Sequence, residues 1–511
     1  MIAPSRRLPL AAVLLGGLAL LWRWRLTAIY FGSEEEDYGN LGLILGTLQS
    51  GFRYVETEHM PLFTALAAAV TGLVGDAEVG GEIVALISGT AVVLLTLLIG
   101  WRWLSPAAGV VAAALLVSQP ELALYSATPL RITTYVAFVL LAVWALGERR
   151  PILATIALSL GFLTRFDLAF SILPAAALLT AWRLRSEGPR PSILAPLAVG
   201  AATVLGWAAW YRSHLGTWRF WGGVAERNEG GGIDLGTLGG FLGTIVPGHV
   251  GHAAVLAAAV GAVWMLRGRA ADPERARWLL LAGSSVTGLL VTTVILSSYD
   301  WNHNLYWKWM STSVPFLALG AGHAVAEGAT ALGGRGRGGR WAAVALLAGF
   351  ALQTGWAHHR ETRAQLDRSD QWYGTQVRLM RWVEASFPPD VGVLADLIPA
   401  TYLSRKTSAR RVSLWRQSEL PPGDVDAFAA FVRAERISLV FWFREEWVGA
   451  QLRAPWLAEP EPQVVGGLRL LPIAAEPGYG FVAWQVIEPG FPDATSPPPA
   501  DAGATAFVRP P

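Results

Sequence analysis

Residues 82–101, EIVALISGTAVVLLTLLIGW, carry a charge only at Glu82, their first position. A helix rises about 1.5 Å per residue, so this run measures about 30 Å, the thickness of a bilayer's hydrocarbon core. Working outward, similar apolar runs recur at 8–24, 106–120, 128–147, 151–165, 167–184, 192–211, 250–267, 277–297, 308–330 and 340–357. The pattern predicts a polytopic membrane protein of about eleven spans, with 106–120 and 151–165 the shortest.

Composition agrees. The chain has 511 residues, of which 53% are hydrophobic and 15% charged. Soluble domains carry about 25% charged residues. Mean hydropathy is +0.40. A net charge of +2 gives no reason to expect a nucleic-acid partner. The absence of cysteine excludes disulfides, thiolate metal sites and cysteine nucleophiles.

The first apolar run follows Arg6 and Arg7 in the manner of a signal peptide, but no small-residue cleavage site follows. Trp22, Arg23, Trp24 and Arg25 suit an interfacial anchor, so a retained helix is expected. With the N-terminus cytoplasmic, every inner loop is basic: Arg102, Arg149 and Arg150, Arg183 to Arg190, Arg267 to Arg277, and Arg335 to Arg340. An odd number of spans then puts the C-terminus outside. The long segments, 27–81, 212–249 and 359–511, all fall on the outer side.

The expected domains are a membrane domain over 1–358, an extracytoplasmic α/β domain over 359–490 and a disordered Pro-, Ala- and Gly-rich tail over 491–511. In the second domain, Gln371 to Phe387 reads as an amphipathic helix with Val377, Met380, Trp382 and Val383 on one side, stopped by Pro388 and Pro389. Val391 to Ala395 and Ile437 to Phe443 read as strands and Ala427 to Ala434 as a helix. The fold class is mainly α, with this small α/β unit appended.

The first outer loop opens with Ser33-Glu34-Glu35-Glu36-Asp37-Tyr38. Tyr38, Leu41, Leu45, Leu48 and Phe52 then recur at helical spacing, which predicts an amphipathic helix along the membrane surface. A second helix is expected from Pro61 through Leu62, Phe63, Leu66 and Val70. Ser33 and Glu36 have the spacing of a capping box, and acids suit a first helical turn. Four consecutive acids beside a membrane are also placed to hold a divalent cation or to remove a proton from a hydroxyl.

At this point the sequence resembles the GT-C glycosyltransferases that use lipid-phosphate sugars, among them the protein O-mannosyltransferases and the aminoarabinose transferases of lipid A. Glu34-Glu35-x-x-Tyr38 is similar to their Asp-Glu-x-x-Tyr element, and His59-Met60-Pro61-Leu62-Phe63 stands where they carry a Pro-Pro-Leu-like element. Ser105-Pro106-Ala107-Ala108-Gly109, Ser118-Gln119-Pro120, Leu163-Thr164-Arg165-Phe166-Asp167, Phe387-Pro388-Pro389-Asp390-Val391 and Thr401-Tyr402-Leu403-Ser404 follow in family order. Two departures are Glu for the first acid and Met60-Pro61 for the Pro-Pro pair.

The resemblance implies an integral protein of the bacterial plasma membrane that transfers a sugar from a polyprenyl-phosphate donor to an acceptor at the outer face, by direct displacement with inversion. The acceptor is a protein, lipid or polysaccharide. Glu34 and Glu35 are the candidates for the general base, Glu34 aligning with the first acid of the element. Arg131, Arg165 and Lys308 are candidates for the donor phosphate, because cations at outer span ends meet phosphate charge. Interfacial snorkelling explains the same residues without a ligand. Tyr38, His59, Asp300 and His303 are candidate substrate contacts; Asn304 shares the turn of the last two. Trp218, Phe220 and Trp221 suit an aromatic belt or a sugar-stacking surface.

Two other classes compete. A lipid-linked glycan transporter or flippase would carry charges at the midplane and repeated halves. Neither feature is visible in the sequence. A non-catalytic glycan-binding scaffold would keep the fold and dispense with Glu34 and Glu35.

Overall fold

A computed structural model describes residues 4–32, 35–52, 60–166, 168–216, 218, 251–267, 277, 311–406, 412–414, 423–443, 454–476 and 481–489. The chain forms two compact units. The first comprises residues 1–30, 52–67 and 82–365, and the second 31–51, 68–81 and 366–511.

The first unit is helical. Its elements are α1 (Pro4–Thr27), the start of α3 (Pro61–Val74), most of α4 (Ala77–Trp103), α5 (Pro106–Ser118), α6 (Pro120–Tyr125), α7 (Ile132–Gly147), α8 (Pro151–Thr164), α9 (Leu168–Glu187), α10 (Pro191–Leu215), α11 (His252–Arg267), α12 (Val314–Gly333) and most of α13 (Gly336–Ser369). Proline opens α3, α5, α6, α8 and α10, where its fixed φ is already helical and its missing N–H is no loss. The N-cap Ser105 accepts from the amide of Ala108 at 3.1 Å, which explains why α5 restarts directly after α4.

Three described helices are long and apolar enough to cross a membrane by length and composition: Arg7–Thr27, Ala77–Trp103 and Pro191–His214. The expectation was about eleven. Several of the other expected spans are shorter apolar helices, Pro106–Ser118, Ile132–Gly147, Pro151–Thr164 and His252–Gly261. The expected span 106–120 stops at Ser118, because Pro120 begins a separate short helix. The expected span 128–147 begins only at Ile132, after a turn. The expected span 277–297 lies outside the described residues beyond Arg277, as does the start of 308–330.

The core of this unit runs through Leu97 and Val93 of α4, Ala112 and Leu116 of α5, Val136 and Leu140 of α7 and Phe162 of α8. α4 and α5 meet at two glycines: a Cβ on Gly100 would stand 2.5 Å from the Cα of Gly109. Small residues of this kind let helix backbones touch.

The second unit contains α2 (Glu35–Gln49), a π-helical turn at Asp370–Gly374, α14 (Thr375–Ser386), α15 (Leu397–Ser404), α16 (Val425–Ala434) and a six-stranded sheet. The strands are β1 (Gly392–Ala395), β2 (Val412–Leu414), β3 (Ile437–Phe443), β4 (Gln463–Val465), β5 (Leu468–Glu476) and β6 (Phe481–Ile487). Their order is β2-β1-β3-β6-β5-β4. β1 pairs in parallel with β2 and β3, and the remaining pairs are antiparallel. Phe428 and Val432 of α16 pack with Leu394, Val440, Trp442 and Trp484 of the sheet.

The expected strand at 437–443 and the helix ending at Ala434 are present as read. The expected helix over 371–387 begins as a π turn and becomes α-helical at Thr375. Loop helices form at both expected places. Leu41 and Leu45 are buried in α2, whose buried face meets α15. Phe52, expected on the same stripe, is instead exposed: α2 ends at Gln49, and both Gly51 and Phe52 take positive φ.

Candidate functional site

Two of the expected phosphate-binding residues lie at one end of a helical hairpin in the first unit. α7 and α8 form an antiparallel hairpin joined by a short turn after Gly147. Arg131 occupies the N-cap of α7 and Arg165 the C-cap of α8, so both stand at the same end of the hairpin. Arg165 takes an extended conformation, with φ −150° and ψ 131°, and its amide donates to the carbonyl of Gly161 at 3.0 Å. Its guanidinium carbon lies 5.6 Å from the centroid of the Tyr135 ring, one turn into α7. Arg165 is buried and Arg131 half-buried. The side chain of Arg131 does not cap the first amides of α7. Two guanidiniums beside a helix N-terminus make an environment suited to an anion.

A buried polar layer supports this end. Thr133 donates to the carbonyl of Ala85 at 3.1 Å, and the hydroxyls of Thr134 and Ser88 lie 2.8 Å apart, fixing α7 against α4. Arg23 of α1, fully buried, donates to Ser126 Oγ at 3.1 Å and to the carbonyl of Leu116 at 3.0 Å. A side chain at Gly89 would collide with Ser126, so glycine is required there. Gln119 caps α6 by accepting from the amide of Leu122 at 2.8 Å, and its amide group donates to Glu121. Glu121 is buried in α6. Sequence reading passed over this carboxylate. Its signal was an acid directly after Gln119-Pro120, inside an otherwise apolar run.

The acidic element of the first outer loop belongs to the second unit. Glu35 is the first residue of α2, and Tyr38 lies in that helix's first turn. Ser33 and Glu34 lie outside the described residues. Past this turn, α2 packs on α15, where a Cβ on Gly42 would stand 3.9 Å from Thr401. His59, Asp167, Asp300, His303 and Lys308 also lie outside the described residues. Trp218 is described and exposed. Among the described residues no group of three or more His, Asp or Glu is arranged around a possible metal position.

The second unit has its own charged node. Arg405 is buried and donates to both oxygens of Glu384, at 2.7 and 3.0 Å, and to Glu78 at 2.9 Å. Asp76 lies 3.5 Å away. The guanidinium stacks 3.7 Å from the centroid of the Tyr402 ring. Burial alone would lower the Arg405 pKa; its bond to Glu384 and the charges around it raise it above the ordinary arginine value. Tyr402, which accepts from Arg381 Nε at 3.0 Å, is pushed up to about 12 by its burial and by Glu78. This node ties Asp76 and Glu78, at the end of the first loop, to α14 and α15.

No protein-family model matches the chain, and no curated protein matches its sequence. Solved structures do match. ArnT of Cupriavidus metallidurans in its apo state superposes with a TM-score of 0.61 at 13% identity, over 92% of this chain and 97% of ArnT. The same enzyme bound to undecaprenyl phosphate gives 0.60 over the same shares. The oligosaccharyltransferase of Archaeoglobus fulgidus gives 0.53 at 13% identity, over 86% of this chain and 70% of that one. Both are GT-C superfamily members. At this identity the likeness is one of fold: the chain shares the fold of ArnT and of the oligosaccharyltransferase.

Proposed function

We propose that the chain is a glycosyltransferase of the outer membrane face that takes its sugar from a polyprenyl-phosphate donor. The observation that carries this reading is the superposition over 92% of the chain on an aminoarabinose transferase solved with undecaprenyl phosphate bound. A donor of this kind already has a good leaving group, so the enzyme needs to position the reactants, take up one proton and meet the phosphate charge.

In this reading Glu34 removes the proton from an acceptor hydroxyl, with Glu35 beside it. The freed oxygen attacks the anomeric carbon from the face opposite the phosphate. The new C–O bond forms as the bond from that carbon to the phosphate oxygen breaks, and the configuration inverts. Polyprenyl phosphate leaves with the electron pair. Arg131, Arg165 and Lys308 meet the charge that grows on it. Arg165 is suited to this because its guanidinium is buried on an aromatic face, where electrostatic interactions are stronger than in water. Tyr38, His59, Asp300 and His303 are assigned to substrate contact.

The acidic run from Glu34 to Asp37 is also where a divalent cation would be held, and it would there polarise the phosphate. The Archaeoglobus oligosaccharyltransferase has been solved with zinc and sulfate. An N-terminus inside and the α/β unit outside would put these groups on one side of a bacterial plasma membrane. The acceptor belongs to the protein, lipid or polysaccharide class. Release of labelled sugar from a panel of polyprenyl-phosphate donors by the protein in lipid tests the reading. No release from any donor, with acceptors of all three classes present, would overturn it.

A further inference from the structure

At the opposite end of the α7–α8 hairpin, the last turns of α7 and α9 and the first turns of α8 and α10 enclose a cavity of ≈ 130 Å³. α7 has sixteen residues, so this cavity is about 24 Å from Arg131. It belongs to a different place from the candidate donor site.

Its chemistry is cationic. Arg149, Arg150, Arg183 and Arg190 line it, with Glu187 the single carboxylate among the lining residues. Arg183 is buried: its side chain is 9% exposed. Its Nη2 donates to the carbonyl of Leu146 at 2.9 Å, while its Nε and the Glu187 Oε1 it faces, 4.0 Å apart, have no hydrogen-bond partner among the described residues. Glu187 is shared, since Arg149 also pairs with it at 3.2 Å. One carboxylate therefore faces four guanidiniums.

Two helix N-termini add to this field. Arg150 and Arg190 are the N-caps of α8 and α10, and neither side chain caps its helix. An N-cap is ordinarily Ser, Thr, Asp or Asn, whose oxygen satisfies the first amides. Here the capping positions hold cations, and Pro151, Ser192 and Ile193 line the cavity directly after them. Solvated basic loops at an inner membrane face need no ligand. A buried arginine with an unused donor, inside a cavity with room for several waters, is a different arrangement.

We propose that this cavity binds a phosphate group, carried either by an anionic phospholipid headgroup or by a soluble phosphate. Basic pockets between membrane helices accept headgroups by this chemistry. Arg183 would supply the buried contact, and the exposed Arg150 and Arg190 would close over the charge.

The test uses the full chain in phosphatidylcholine nanodiscs with and without phosphatidylglycerol, and native mass spectrometry counts the retained anionic lipid. The variants are Arg183→Gln, which also loses the bond to Leu146, and Arg150→Gln/Arg190→Gln, which changes only exposed side chains. Arg335→Gln/Arg337→Gln removes two arginines elsewhere and serves as control. The expected result is at least fivefold weaker retention in both site variants and no change in the control. Displacement of the lipid by millimolar inorganic phosphate assigns a soluble phosphate as the occupant, and resistance to it assigns the lipid; both support the site. Equal retention by the wild type and Arg150→Gln/Arg190→Gln, or an equal loss in the control, overturns it.

Discussion

The guanidinium of Arg165 lies over the ring of Tyr135, 5.6 Å from its centroid. The contact joins the end of α8 to the start of α7 and fixes where Arg165 presents its charge. A desolvated cation–π contact contributes about 2 kcal/mol, or roughly thirtyfold in an equilibrium constant. Tyr135→Leu is therefore expected to raise KM for a polyprenyl-phosphate donor by about tenfold to thirtyfold, with the protein still folded. Tyr135→Phe keeps the ring face and should stay within about threefold of wild type. Steady-state kinetics in lipid separates the two. Equal KM values for Tyr135→Leu and wild type would remove Arg165 from the donor site.

Arg405 supplies a stability prediction. Removing one partner of a buried ion pair leaves the other charged without compensation, at about 3–5 kcal/mol. Arg405→Ala removes the 2.9 Å bond to Glu78 and leaves Glu384 with Lys406, at 3.4 Å. It should lower the Tm of the full chain by several degrees. Arg405→Lys keeps the charge but loses the two-pronged bond to Glu384, so an intermediate loss is expected. Differential scanning fluorimetry in detergent gives the ranking. Arg405→Ala as stable as wild type would show that the node contributes little.

Tyr402 gives a pH dependence of defined sign. Burial raises its folded pKa to about 12, from an ordinary value of 10. The folded state holds this proton more tightly than the unfolded state. The stabilisation is fully present below pH 10 and is lost as pH rises towards 12. Two units correspond to about 3 kcal/mol. Tyr402→Phe should flatten the fall in stability between pH 10 and 12. Titration of phenolate absorbance in the folded protein should show one tyrosine that ionises late. An unchanged alkaline slope in Tyr402→Phe would contradict this assignment.

Much of the architecture could be read from the chain, and the exceptions have physical causes. Hydropathy located the helices from Pro4 to Gly216 closely, because apolar runs and helix-opening prolines mark their ends. It overestimated span lengths where proline restarts a helix, as at Pro120. The strand at Ile437–Phe443 was legible from its β-branched and aromatic content. β5 was not, because it contains Pro472, which argues against an inner strand. The chain accommodates it at a register shift between Pro472 and Ala474. The common end of Arg131 and Arg165 was legible from two consecutive spans joined by a short basic turn, but the stacking of Arg165 on Tyr135 was not, since only the folding of α7 onto α8 makes it. Glu121 carried a signal, an acid inside an apolar run after Gln119-Pro120, but its burial is a property of the fold.

We propose that Glu34 or Glu35 takes the proton in a sugar transfer from a polyprenyl-phosphate donor. A positioned general base contributes about 10²–10⁴ in rate. The direct measurement compares sugar release from the donor by the wild type, Glu34→Gln and Glu35→Gln, each in lipid and each checked for folding by its Tm. Release by the wild type is expected, with a loss of at least a hundredfold in Glu34→Gln and a smaller loss in Glu35→Gln. Full activity in both variants, at unchanged Tm, would contradict it and reduce the acids to a helix cap.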